Sequence, residues 1–142
     1  MKKLFFIAVI LLSIQLLHAQ EPSKRTHVIF EAGDLVSSNT ARISDGDLAK
    51  ANEPYSPLVI GVYNEASGNS TIPRILCDGI AYIKFDPSNG AVSAGDFITS
   101  SAKAGYGMKA TKAGFVVGVV LDGADKNSGL IKIRVQPMWV KQ

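Results

Sequence analysis

The chain has 142 residues, 46% hydrophobic and 19% charged, with 15 Lys and Arg against 12 Asp and Glu. Its basic residues are scattered, and beyond the N-terminus Lys24-Arg25 is the only adjacent pair, which disfavours nucleic-acid binding because a row of phosphates needs a cationic cluster. With Cys77 as the single cysteine and His27 as the only histidine beyond residue 19, one thiol and one imidazole are set against the three or four Cys, His or carboxylate ligands of a zinc centre.

Lys2 and Lys3 open the chain, residues 4–17 form an apolar run broken only by Ser13 and Gln15, and Ala19 precedes Gln20. That is the layout of a secretory signal with a small residue at its cleavage point. The run is shorter than the ~20 apolar residues of a spanning helix and no stop-transfer charges follow it, so no stable membrane anchor is expected. No cysteine lies just after the run to carry a lipid. Residues 1–19 are therefore expected to be removed, placing the protein in the periplasm, on the cell surface or outside the cell. Without Lys2 and Lys3 the balance is 13 basic to 12 acidic residues.

What remains is an N-terminal segment, residues 20–31, and one domain, residues 32–142, long enough to bury a core without cross-links. Cys77 ends the apolar stretch Ile75-Leu76-Cys77, and a buried, inert thiol is the expectation, an intermolecular disulfide the alternative.

Thirteen Gly and six Pro punctuate the chain, and the runs between them are short and rich in Val and Ile, as strands are. Strands are expected at residues 28–30, 58–63, 72–76, 80–85, 97–100, 115–121 and 130–136. In the last, Ile131, Ile133 and Val135 alternate with Lys132 and Arg134, one face apolar and one polar. Residues 116–121 are apolar on both faces, as in a strand covered on each side. Asp86-Pro87-Ser88-Asn89-Gly90 has the residues of a tight turn, and Asn127-Ser128-Gly129 those of a hairpin tip.

Three blocks recur in the same order, each pair about 60 residues apart. Ala32-Gly33-Asp34-Leu35-Val36-Ser37-Ser38 returns as Ala94-Gly95-Asp96-Phe97-Ile98-Thr99-Ser100. Val59-Ile60-Gly61-Val62 returns as Val116-Val117-Gly118-Val119, and Asn69-Ser70 as Asn127-Ser128. Two copies of one β unit, residues 32–76 and 94–136, are expected to cover each other's apolar faces. The fold class is thus all-β, a compact barrel-like or β-clip-like domain of two pseudo-twofold-related repeats. Gly61 and Gly118 sit mid-strand in both copies, which suggests a bulge or a close backbone approach between the halves.

Candidate chemistry is sparse. A Ser-His-Asp triad would rest on His27, near the new N-terminus. Ser100, Ser101, Lys103 and Lys109 are close enough in sequence for Ser-Lys chemistry, but that needs a desolvated lysine. Asp34 and Asp96 are turn caps in the simplest reading, an acid–base pair in the sharper one. The segment 122–129, from Asp122 to Gly129, has the oxygen-rich composition of a calcium loop without the EF-hand ligand order. Gly105-Tyr106-Gly107 lacks the third glycine of a nucleotide loop. Tyr55, Tyr106 and Trp139 are candidates for a sugar-stacking surface. No catalytic, cofactor or metal residue is assigned.

Residues 32–135 resemble an uncharacterised repeat-built β domain of exported bacterial proteins, often C-terminal in chains related to phage tail fibres and appendages and distantly near peptidase G2-type domains. The resemblance is carried by Ala32-Gly33-Asp34-Leu35-Val36, Tyr55-Ser56-Pro57-Leu58-Val59-Ile60-Gly61-Val62 and Gly79-Ile80-Ala81-Tyr82-Ile83-Lys84-Phe85. Asn89-Gly90, the block from Ala94 to Ser101, and Gly105-Tyr106-Gly107-Met108-Lys109-Ala110 add to it. It implies a terminal β module on surface proteins and a homotrimer. The expected function is a non-enzymatic structural or binding module for a protein or surface glycan, without cofactor. The alternative is an autoproteolytic or carbohydrate-active enzyme.

Overall fold

The computed structural model describes residues 28–38, 48–65, 74–123 and 129–141. These residues are all-β, with one 3₁₀ turn at Pro87–Asn89. The strands are β1 Leu35–Ser38, β2 Leu48–Lys50, β3 Val59–Asn64, β4 Arg74–Leu76, β5 Gly79–Lys84, β6 Phe97–Ser100, β7 Gly107–Lys109, β8 Gly114–Asp122 and β9 Leu130–Val140. They form two antiparallel sheets, ordered β2-β1-β3-β4 and β5-β9-β8-β6-β7. Neither sheet closes on itself, which corrects the barrel-like expectation. Closure needs an unbroken ladder, whereas β2 and β4 end the first sheet as three-residue edge strands.

The repeated blocks make the same pairings. Val36 faces Lys50 on one side and Gly61 on the other, as Ile98 faces Lys109 and Gly118. The Gly33 N–H donates to Tyr63 O and the Gly95 N–H to Val120 O. Gly61 and Gly118 both lie beside register shifts. Their close approach, however, is to the neighbouring strand of the same sheet, not between halves. A Cβ on Gly118 would stand 2.0 Å from Arg134 O, and one on Gly61 2.4 Å from Leu76 O.

Ile131, Ile133 and Val135 are fully buried, as their alternation requires, and meet Leu35, Val62, Ile83 and Ile98 in one core shared by the sheets. A smaller cluster of Ala110, Val116 and Val140, with Tyr55 and Phe97 against it, covers the other face of the second sheet. Residues 28–30 form no strand; the β-branched pattern has no partner ladder there, and Phe30 stacks on Tyr63 at 5.5 Å instead. Strands β2 and β7 escaped the sequence reading because they are three residues long and carry lysine and glycine. Cys77 is exposed, not buried, because the chain reverses there between β4 and β5 and turns the thiol outward. No helix among the described residues is long and apolar enough to cross a membrane.

The turn before β1 joins the two sheets. Gly33 O accepts the Lys84 N–H of β5 at 3.1 Å, and the Leu35 N–H donates to Gly105 O at 2.8 Å. Gly105, at φ +82, must be glycine, since a Cβ would fall 2.5 Å from Asp34 Oδ1.

Candidate functional site

Polar side chains from several loops line a groove of about 520 Å³. The β2–β3 connection supplies Tyr55, the 3₁₀ turn supplies Asp86, Ser88 and Asn89, and Ser101, Thr111 and Lys112 complete the lining.

Tyr55 is the one non-glycine described residue at positive φ, +58, a conformation that a bulky side chain rarely takes and that costs about 1–3 kcal/mol. Its surroundings hold it there. Ser100 Oγ accepts the Ser56 N–H at 3.0 Å and donates to Glu53 O at 2.6 Å, pinning both ends of the connection to β6. The ring covers Gly114, where a Cβ would stand 2.6 Å from it. The phenol oxygen accepts the backbone N–H of Thr111 at 2.8 Å and of Lys112 at 3.3 Å. Burial pushes the phenol pKa up, but the Thr111 side chain, these N–H groups and the Lys112 charge outweigh it and hold it below the ordinary value.

Asp86 caps the 3₁₀ turn, accepting the Ser88 N–H at 3.0 Å. The buried Ser101 hydroxyl donates to its other oxygen. That bond first, then Ser88 and the Lys103 charge, hold the carboxyl below its ordinary value against a smaller upward push from burial. Asn89 donates from its amide nitrogen to Lys109 O at 3.1 Å.

The serines and lysines singled out in sequence are not brought together as a dyad. Ser100 Oγ donates to Glu53 O and Ser101 Oγ to Asp86. The Lys103 ammonium stands 3.8 Å over the Tyr106 ring, and Lys109 pairs with Asp96 at 2.9 Å. Asp34 and Asp96 do cap their turns, accepting the Glu31 and Ser93 N–H groups at 2.8 Å. They are not an acid–base pair: Asp34 is held by Lys50 and Lys84, Asp96 by Lys109. Among the described residues Tyr55, Tyr106 and Trp139 make no ring contact with one another, and only Tyr55 lines the groove. Gly105 packs on Asp34 and Gly107 begins β7, so that segment is structural. His27 and most of segment 122–129 lie outside the described residues. The described residues contain no cluster of three or more His, Cys, Asp or Glu placed to hold a metal. Sequence reading passed over Asp86 as an acceptor in a site; Asp-Pro at a turn was its one visible signal.

A second cleft, of about 240 Å³, lies between β3 and β5 and is lined mainly by apolar side chains and backbone. It holds no comparable set of polar side chains. Compared with protein-family models, curated proteins and solved structures, the chain matches none.

Proposed function

We propose that this protein is an exported, non-enzymatic binding module built from two copies of one β unit, with the Tyr55–Asp86 groove as its ligand site. One observation carries the reading: Asp86 and Asn89 in the groove are fixed by hydrogen bonds within the protein, while Ser100, Ser101, Lys103 and Lys109, the hydroxyls and ammonium groups that Ser-Lys catalysis would recruit, are each tied to other partners. Ser101 is a donor to a carboxylate held below its ordinary pKa. Such a carboxylate is a weak general base at neutral pH. Rigid donors and acceptors without a nucleophile–base pair suit recognition better than turnover. The resemblance to exported surface modules points the same way, with a protein or a surface glycan as partner and a trimer as the assembly.

Incubation with oligosaccharides and with the protein itself tests this. Unchanged masses and no new reducing ends are expected after prolonged incubation. Self-cleavage or released sugar overturns the reading in favour of an enzyme.

A further inference from the structure

We infer that the groove takes a neutral saccharide presenting vicinal hydroxyls; this deepens, and rests on, the reading as a binding module.

The argument is one of hydrogen-bond polarity. The Tyr55 oxygen already accepts two backbone N–H groups and lies against the Thr111 side chain, so what the Tyr55–Thr111 hydroxyl pair offers a ligand is an O–H as a donor. Asp86 is the converse. An ionised carboxylate only accepts, through about four lone-pair directions, and Ser88 and Ser101 occupy one on each oxygen. Asn89 has its amide nitrogen engaged with Lys109 O, which leaves its carbonyl oxygen as an acceptor. Lys112 adds a second donor, its ammonium standing 5.0 Å from the Tyr55 ring centre. The groove thus brings donors, at Tyr55 and Lys112, and acceptors, at Asp86 and Asn89, into one lining.

Few ligand classes match both sets at once. A phosphate or carboxylate satisfies Tyr55 and Lys112 but is repelled by Asp86. An amine satisfies Asp86 and is repelled by Lys112. A hydroxyl donates and accepts together, and neighbouring hydroxyls on a sugar ring can bridge from acceptor to donor. Apolar Pro54 and Met108 line the same groove and suit the C–H face of a sugar ring. At about 520 Å³, the groove falls within the ~300–1,000 Å³ usual for small-ligand sites. The strained backbone of Tyr55, anchored through Ser100, is a second mark of a constrained site.

Amide NMR titration of the ¹⁵N-labelled protein with maltotriose, mannotriose and chitotriose, and with trigalacturonate as the acidic comparison, tests the assignment. At least one neutral trisaccharide is expected to shift the amides of Tyr55, Ser88 and Thr111. Asp86→Asn should weaken that binding about tenfold, the loss of a charged hydrogen-bond acceptor. Lys112→Ala is an exposed change that leaves the Tyr55 ring in place; it should weaken binding about threefold, and it carries the test should Asp86→Asn not fold. Tyr82→Ala, outside the groove, should leave affinity unchanged. The assignment is overturned if no neutral probe shifts the groove amides at about 10 mM, below useful affinity. It is also overturned if the shifts map to Ile80 and Tyr82, or if only trigalacturonate binds. Cleavage of a probe that does bind the groove leaves this assignment standing and overturns the non-enzymatic reading instead.

Discussion

The Asp34 carboxylate lies 2.8 Å from the Lys84 ammonium, an ion pair that runs from the turn before β1 in the first sheet to β5 in the second. Lys50 of β2 stands 2.9 Å from the other oxygen, and the Asp34 side chain is fully buried. Its counterpart Asp96 has one lysine and is 28% exposed. The same sequence block therefore carries an internal joint in one place and a surface pair in the other.

Asp34→Asn should destabilise the protein by about 2–4 kcal/mol, because it removes the shared partner of two lysines that are largely withdrawn from water. Asp96→Asn should cost no more than about 1 kcal/mol. Urea denaturation of the two variants decides it; equal losses would mean that the joint is not held by charge.

The pH dependence follows from the same residues. Burial pushes the Asp34 carboxyl up, but hydrogen bonds from Lys84, the Glu31 N–H and Lys50 hold it below its ordinary value. Lys109 chiefly does the same for Asp96. A carboxyl lowered on folding contributes stability that is complete above its unfolded value, about 4, and is lost as pH falls through the folded one. Lys84 runs the other way. Burial lowers it, its bonds to Asp34 and Glu31 raise it further, and its contribution is complete below about 10.4 and lost as pH rises through the raised value. The melting temperature should thus fall in acid below about pH 4 and more shallowly so in Asp34→Asn. An identical acid limb in parent and variant would remove Asp34 from the account.

Gly118→Val should destabilise by about 3 kcal/mol or more, the upper end of overpacking costs. The obstacle is a backbone carbonyl, Arg134 O, which cannot swing away as a side chain can. Gly95→Ala makes the comparison: no atom lies within 4 Å of its Cβ, so only the positive φ of +92 opposes it, at about 1–2 kcal/mol. Calorimetry that finds Gly118→Val as stable as the parent would contradict the β8–β9 register.

Cys77, exposed at the β4–β5 reversal, should react with Ellman's reagent in the native protein as fast as in urea. Slow native reaction would mean that an assembly covers it.

Signal cleavage, as proposed, should leave a chain that begins at or near Gln20, the residue after the small side chain of Ala19. Intact-mass measurement on secreted material checks this, and a retained Met1 would refute it.

Local patterns in the sequence determined the class and much of the framework. Alternation along residues 131–135 needs only adjacent side chains to specify a buried face, and Gly33-Asp34 and Gly95-Asp96 carry their own turn geometry, the aspartate bonding three residues back. What the tertiary structure alone decided is which distant groups meet. Asp34 reaches Lys84 and Tyr55 reaches Thr111 across more than forty residues, and Ser101 reaches Asp86, because of strand order and register. An apolar neighbourhood in sequence likewise did not bury Cys77, since burial depends on where the chain reverses. The groove is a meeting of four loops, and the chemistry of each loop is ordinary until the two sheets place them together.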